Sequence, residues 1–241
     1  MTCDFSDPLQ APEGEDLLAI GATDLLGNPL TISHDVEWPK LTHFGTTWTP
    51  EVVLEAYRHG LFPMPMDLDD GPSAIGWWSP EKRAIFYPDS INISRSLRRS
   101  LSHFQVTFDQ AFDQVVAQCA DPKRDHGWID VNVQDCYGQL HQQGHAHSVE
   151  VWQAGQIVGG LYGVAIGGIF AGESMFHKVT NASKAALVHL GSWLNDGQGR
   201  IIDSQWMTPH LSSLGAQTVS RSEYVDLLAS GLAISPPIVP V

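Results

Sequence analysis

An α+β fold is the class that this sequence of 241 residues predicts. The main observation is the order of patterns between His147 and Gln205: strand, turn, strand, turn, strand, helix, strand. Turn signals such as Ala154-Gly155 separate these runs, and short apolar or alternating runs are typical of strands. Helix patterns with recognisable ends lie before and after this region. A hydrophobic content of 43% is ample for a packed core.

The N-terminal part is predicted to begin with a disordered tail. Residues 1–15 are polar and acidic and contain proline, a composition that buries little apolar surface. Thr49 as cap and Pro50 at the first helical position predict a helix that ends before Gly60. Phe62–Pro65 is expected to be extended, because a residue before proline avoids the helical region.

The following elements are assigned from periodicity and from residues typical of helix ends. Asp109 is expected to cap the helix that follows it, because short acidic side chains accept backbone N–H groups at helix starts. In chain order, the predicted elements are strand 84–87, helix 94–102, strand 104–108, helix 109–119, helix 132–143, strands 147–153, 157–164 and 169–176, helix 181–195, strand 201–206 and helix 221–229.

Two carboxylates interrupt these apolar strands. Glu173 lies within Ile169–Phe176, and Asp203 lies within Ile201–Trp206. Burying a carboxylate costs several kcal/mol unless it is paired or hydrogen-bonded. Glu173 and Asp203 are therefore the first candidates for chemistry. The alternative is a structural polar network in which all of these groups are satisfied.

Composition limits the class of partner and the compartment. The formal net charge of −14 argues against nonspecific nucleic-acid binding, although five basic residues and one acid lie between Lys82 and Arg99. Three cysteines without metal spacing indicate reduced thiols in a cytoplasmic protein. No apolar run approaches the length of a membrane helix, and no signal peptide is expected.

Common catalytic and metal motifs are missing from the sequence. There is no GxGxxG, P-loop, HExxH, GxSxG or CxxC pattern. His145 and His147 are two residues apart, so they point to opposite sides of an extended chain, and no second ligand cluster accompanies them. We therefore expect no metal site.

Several long motifs in order resemble the leucyl/phenylalanyl-tRNA–protein transferases. The longest, from Gly144 to Phe176, reads GHAHSVEVWQAGQIVGGLYGVAIGGIFAGESMF. The likeness covers residues 48–230, and its other motifs are AYRHGLFP (56–63), WWSP (77–80), SRSL (94–97), NASK (181–184), IDSQ (202–205) and HLSSLGA (210–216). The chain departs from the family pattern at Met64, Asp130, His177 and Ser204.

The resemblance implies both an activity and an architecture. Such enzymes move Leu or Phe, and by extension Met, from aminoacyl-tRNA to the N-terminal amine of proteins that begin with Arg or Lys. The new N-terminus marks the protein for N-degron proteolysis. The implied fold is an acetyltransferase-like (GNAT-like) mixed sheet with flanking helices in residues 84–241, preceded by a small N-terminal domain in residues 1–83. No cofactor or metal is implied, because the ester is already activated.

The resemblance also assigns roles to residues of this chain. Asp203 and Gln205 match the catalytic Asp-x-Gln, and Glu173 matches the acid that recognises a basic N-terminal side chain. Arg95, Arg98 and Arg99 are expected to contact the phosphates of the tRNA acceptor end. The residues that match the acyl side-chain pocket are Met64, Trp128, Leu161, Phe170, Leu187, Leu190 and Leu194. Without the resemblance, the three leucines of the helix are simply core residues that share one face.

Two alternatives remain at this point. One is an acyl-CoA N-acyltransferase, although the chain lacks the glycine-rich loop that cradles pyrophosphate in such enzymes. The other is a noncatalytic binder of basic protein N-termini, which would use Glu173 and the acidic surface. Turnover with charged tRNA separates both alternatives from the transferase.

Overall fold

The computed structural model describes residues 49–66, 74–121 and 129–240, without the side chains of residues 64–66 and 74–76. The helices of this part are α1 (Pro50–Arg58), α2 (Arg95–Leu101), α3 (Phe112–Cys119), α4 (Val131–Gln142), α5 (Ala182–Leu194), α6 (Pro209–Ser213) and α7 (Arg221–Leu232). Its strands are β1 (Phe62–Met66), β2 (Ala74–Trp78), β3 (Lys82–Phe86), β4 (Gln105–Phe108), β5 (Ala146–Gln153), β6 (Gln156–Ile166), β7 (Ile169–His177), β8 (Ile201–Gln205) and β9 (Gln217–Ser220).

A seven-stranded mixed sheet in the order β4-β5-β6-β7-β8-β3-β9 forms the centre of the fold. Its β7–β8 pair is parallel, and the helix α5 connects the two strands. The other described pairs of this sheet are antiparallel. The predicted α+β class with a mixed sheet and flanking helices is confirmed. A separate hairpin of β1 and β2 precedes the sheet.

Helices cover both faces of this sheet, and each face has its own hydrophobic core. One core contains apolar residues of α1, α3, α4 and α7, whereas the other contains the buried face of α5. Successive strand residues alternate between the two cores: Ile201 and Ile85 lie on the α1 side, and Ile202 and Phe86 lie on the α5 side. The face on which a polar residue lies therefore decides which helices it contacts.

The start of α1 confirms the expected capping. Thr49 is extended, and its side-chain oxygen accepts the N–H of Val52, while Pro50 occupies the first helical position. Gly60 follows the helix in the left-handed region at φ 76°. Val53 and Tyr57 are buried on the predicted face. Local chemistry was sufficient to place this helix.

Asp109 is not a helix cap, in contrast to the sequence prediction. The cap position of α3 is Ala111, without a side-chain hydrogen bond. Asp109 has φ 56°, and its carboxylate instead accepts the N–H of Ser148 and a ring nitrogen of His147, both at 2.8 Å. A long-range contact with β5 therefore takes the side chain that the local pattern assigned to the helix.

Smaller differences lie at element ends. The strand predicted to reach Trp206 ends at Gln205, and β9 was not predicted. The strand β3 spans the predicted boundary between residues 83 and 84, so the division into two domains stays a prediction. The predicted tail, residues 1–15, lies outside the described residues. Every helix of the described ranges is too short or too polar to span a bilayer.

Candidate active site

Two β-bulges flank the point where the parallel strands β7 and β8 part. Pairing between these strands ends at Ala171 and Asp203, although both strands continue. Glu173 is the extra residue of β7 relative to β6, and Ser204 is the extra residue of β8 relative to β3. Bulges redirect side chains and are frequent next to functional sites. The structure therefore brings the acids of both strands to one opening in the sheet.

The Glu173 carboxylate is held by two tyrosine hydroxyls. Tyr57 of α1 donates to Oε1, and Tyr137 of α4 donates to Oε2 at 2.8 Å. Burial raises the pKa of Glu173 to about 7, and the nearby Asp203 charge adds to this, although both tyrosine hydroxyls favour the ionised form. The side chain is only partly accessible to water. A carboxylate so placed gains strongly from a cation that enters the opening.

Asp203 forms a fully buried ion pair with Arg83. The Nε and Nη2 atoms of Arg83 donate to the two carboxylate oxygens at 2.8 and 2.6 Å. The Tyr224 hydroxyl and the Gln205 backbone N–H add bonds of 2.9 and 3.0 Å. Burial lowers the pKa of Arg83, but the charge and hydrogen bonds of Asp203, together with Tyr224 and Tyr57, raise it and hold the pKa above its ordinary value. The Asp203 carboxylate is thus surrounded by donors.

Arg83 is a residue of this site that sequence reasoning missed. The sequence placed it among the basic residues between Lys82 and Arg99, but it is 1% exposed and faces the core. Its guanidinium carbon lies 4.5 Å from the ring centre of Phe62 and 4.4 Å from that of Tyr224. One signal in the sequence was available: Arg83 lies two residues before the apolar Ile85, and residues two apart in a strand lie on the same face.

Gln205 does not continue the regular strand from Asp203. Its φ of 61° lies in the left-handed region, so the regular alternation of strand side chains does not extend from Asp203 to Gln205. The side-chain amide donates to the Asp203 carbonyl at 3.4 Å. This bond engages the amide nitrogen, whereas the amide oxygen is an acceptor group. Glu173 and Gln205 therefore stand on the two strands that border the opening.

The predicted acyl-pocket residues gather on the other face of the sheet. Leu161 and Phe170 belong to the core on the α5 side, together with the helix leucines Leu187, Leu190 and Leu194. All five are at most 4% exposed. The Gly172 position, next to Glu173, has room for a side-chain carbon, because a Cβ built on it meets only the Asp203 carbonyl oxygen, at 3.7 Å. The side chain of Met64 and all of Trp128 lie outside the described residues.

Arg95, Arg98 and Arg99 are exposed on the outer face of α2, as predicted from its pattern. None of the ion pairs within the described ranges includes them. Helix α2 packs on the start of α5, where Asn181 donates to Ser100 at 2.9 Å. A cationic ridge therefore lies on the α5 side, the same side as the leucine cluster.

Two residues that depart from the expected family pattern have local roles. Asp130 is exposed and caps α4 by accepting the N–H of Val133 at 2.9 Å. Ser204 donates to the Ala84 carbonyl at 3.1 Å and so ties the bulge of β8 to β3. Among the residues that the structure describes, no group of three or more His, Cys, Asp or Glu side chains is arranged to hold a metal ion.

Two family models match this chain. The leucyl/phenylalanyl-tRNA protein transferase model matches residues 85–229, and the model of the N-terminal domain of these transferases matches residues 48–81. A leucyl/phenylalanyl-tRNA–protein transferase of Shewanella sp. (strain ANA-3) is 48% identical over 192 residues, which cover 78% of this chain and 80% of the relative. The corresponding protein of Stutzerimonas stutzeri (strain A1501) is 46% identical over 187 residues, 76% of this chain and 81% of that protein.

Solved structures show more distant likenesses. The L-PGS structure from Bacillus licheniformis has a TM-score of 0.36 and 13% identity, and the match covers 66% of this chain and 50% of that one. A GCN5-related N-acetyltransferase-like protein from Streptococcus suis has a TM-score of 0.32 and 15% identity, over 70% and 64% of the two chains.

The two family models and the curated relatives place the molecule among the aminoacyltransferases. The match of the larger family model extends over more than half of the sequence. The chain belongs to the leucyl/phenylalanyl-tRNA protein transferase family.

Proposed function

We propose that this enzyme transfers Leu, and also Phe and Met, from charged tRNA to the N-terminal amine of proteins that begin with Arg or Lys. The added residue then marks these proteins for N-degron proteolysis in the cytoplasm. The observation that carries the acceptor class is Glu173, a partly accessible carboxylate that accepts hydrogen bonds from two tyrosine hydroxyls. Both donors to this carboxylate are neutral hydroxyls. The basic N-terminal side chain of the substrate supplies the positive charge that pairs with it.

The reaction is aminolysis of an ester. The neutral α-amine attacks the acyl carbonyl, the new C–N bond forms, and the C–O bond to the tRNA ribose breaks. The amine nitrogen gives up one proton and the ribose oxygen takes up one, so that the ribose leaves as a hydroxyl. Because the ester is already activated, alignment of amine and carbonyl supplies most of the rate enhancement. In this proposal Gln205 accepts a hydrogen bond from the amine, while Asp203 completes the catalytic pair. The acyl side chain enters the cluster of Leu161, Phe170, Leu187, Leu190 and Leu194.

The direct test follows labelled amino acid from charged tRNA to a peptide. Leu, Phe and Met tRNAs are supplied in turn, with an Arg-starting peptide and a Gly-starting peptide of otherwise equal sequence. We expect label on the Arg peptide only, and a loss of at least 100-fold for Asp203→Ala. Binding of the Arg peptide without any transfer, by folded protein and intact charged tRNA, would replace the transferase by a noncatalytic binder.

The exposed arginines of α2 are proposed to contact tRNA phosphates. Replacing Arg95, Arg98 and Arg99 by Ala is expected to weaken aminoacyl-tRNA binding and to flatten its salt dependence. Three lost phosphate contacts reduce the slope of log K against log salt by about two for a single-stranded acceptor end.

The matched control for this prediction is Arg58→Ala, which removes an exposed helix arginine of α1 that pairs with Glu55. Filter binding at several salt concentrations measures both variants. If the slope of log K against log salt is unchanged in the triple variant, or changes equally in the control, the three arginines of α2 do not contact the tRNA.

A further inference from the structure

The Asp203 carboxylate is saturated by partners within the chain. Oδ1 accepts from Arg83 Nε and Gln205 N, and Oδ2 accepts from Arg83 Nη2 and the Tyr224 hydroxyl. A carboxylate has about four acceptor sites in total. These four bonds therefore use the capacity of Asp203, and its effect on a substrate passes through the groups it holds.

One of those groups is the backbone of Gln205. A residue with a side chain in the left-handed region persists only where its surroundings hold it there. The N–H of Gln205 donates to Asp203 Oδ1 at 3.0 Å, and its side-chain amide donates to the Asp203 carbonyl. The Ser204 hydroxyl fixes the intervening residue to β3. Asp203 thus determines the direction in which Gln205 leaves the strand.

Asp203 is in turn fixed by Arg83. The guanidinium binds both carboxylate oxygens in a planar fork, and Nη1 donates to the Gly60 carbonyl at 3.1 Å. The rings of Phe62 and Tyr224 lie against the guanidinium. Arg83 therefore joins the end of α1, the start of β1 and α7 to the last residues of β8. Lysine cannot reproduce this fork, because it presents a single point charge.

We propose that Arg83 is a positioning residue for aminoacyl transfer, which acts through Asp203 to hold Gln205 in its left-handed conformation at the opening between β7 and β8. This inference rests on the proposed function, since the transfer rate is its main readout. It also has a structural consequence that does not depend on catalysis. The backbone N–H of Gln205 donates to a buried carboxylate oxygen of Asp203, whose orientation depends on Arg83.

The test compares Arg83→Met, Asp203→Asn and the double variant in the full chain. Each single change leaves one buried charge without its partner. We expect kcat for Leu transfer to fall at least 100-fold in each, with KM for charged tRNA within twofold of the unchanged protein. In the double variant kcat is expected to be no lower than in the slower single variant, because Arg83 acts through Asp203 and the two losses are therefore not additive.

Arg200→Met is the matched control for loss of a buried arginine. Arg200 is 3% exposed and pairs with Asp196 at 2.8 Å, outside the candidate site. We expect it to lower the Tm while kcat of the folded protein stays within threefold. A folded double variant whose loss of kcat equals the product of the two single losses, or an equal loss of kcat in the control, would overturn the proposal.

Two measurements remain decisive if Arg83→Met does not fold. Arg83→Lys keeps the charge, and we expect a fall in kcat of about tenfold because the fork is lost; an unchanged kcat would contradict the proposal. Hydrogen exchange of the Gln205 amide in the unchanged protein should be slow, whereas exchange as fast as in an open loop would overturn it. The exchange result stands even if no amino acid is transferred, so failure of the proposed function and failure of this inference are distinguishable.

Discussion

Glu173→Gln is expected to lower kcat/KM for an Arg-starting peptide by about 100-fold, which corresponds to about 2.7 kcal/mol of transition-state binding. The variant keeps the size of the side chain, and its amide oxygen still accepts from Tyr57 or Tyr137. It removes only the negative charge that we propose meets the basic N-terminal side chain. Steady-state transfer with Arg-starting and Lys-starting peptides measures the loss.

The pKa of Glu173, about 7, gives this prediction a pH dependence. Transfer to basic N-termini should rise with pH as Glu173 ionises. In Glu173→Gln this contribution should be missing, and only the rise caused by deprotonation of the peptide α-amine should remain. The same pKa predicts the effect on stability. Because burial raises the pKa of Glu173 above its ordinary value of 4.5, the folded chain binds more protons than the unfolded chain between pH 4.5 and about 7.

The free energy of unfolding therefore falls as pH rises through that window, and the loss is complete above pH 7. Glu173→Gln removes the loss, so the variant should be more stable than the unchanged protein at pH 8, by about 1–3 kcal/mol, and equally stable near pH 4. Denaturant unfolding at both pH values checks the sign. A variant less stable at pH 8, or one with full transfer to Arg peptides, would contradict this role of Glu173.

Glu150→Gln is the matched control. Glu150 is also a carboxylate within a strand, fully buried, and it accepts hydrogen bonds from Thr107, Ser148 and the Gln110 backbone. It lies on β5, which is separated from β8 by β6 and β7. Its replacement should leave the ratio of Arg-peptide to Lys-peptide transfer, and the kcat/KM for each, within threefold of the unchanged protein.

Local signals predicted the elements of the fold well. The helix start at Thr49-Pro50 and the strand runs on either side of Ala154-Gly155 follow from turn chemistry and periodicity, which depend on near neighbours in sequence. The assignment of Asp109 failed because its partners, His147 and Ser148, are nearly 40 residues away. A side chain such as that of Asp109 can accept hydrogen bonds from residues near in sequence or from distant ones. The sequence pattern alone favours the near ones.

The sequence indicated the two acids of the candidate site, but not the partners or the geometry of these acids. Glu173 and Asp203 stood out as carboxylates within apolar strands, which burial makes costly without partners. The partners Tyr57, Tyr137 and Arg83 come from α1, α4 and β3, and only tertiary packing brings them to the same opening. The bulges at Glu173 and Ser204 leave no local signature, because they are defined by the register of the neighbouring strands.

Gly163→Ala is expected to destabilise the protein by at least about 3 kcal/mol and to abolish transfer through loss of folded protein. Gly163 pairs with Gly172 immediately before the bulge at Glu173. A Cβ at Gly163 would lie 2.2 Å from the Ala171 carbonyl oxygen and 2.5 Å from a ring carbon of Phe170. The first contact is with backbone, so β6 and β7 must separate to relieve it. That separation moves the residues that present Glu173.

Gly138→Ala tests whether this loss is specific to close packing of the strands. Gly138 lies in the interior of α4, and a Cβ there meets nothing within 4 Å. Alanine in an exposed helix interior is favoured over glycine by about 0.5–1 kcal/mol, so this variant should be slightly more stable and fully active. Thermal unfolding of both variants gives the comparison. If Gly163→Ala keeps its Tm within two degrees of the unchanged protein, close contact between β6 and β7 does not hold the bulge that positions Glu173.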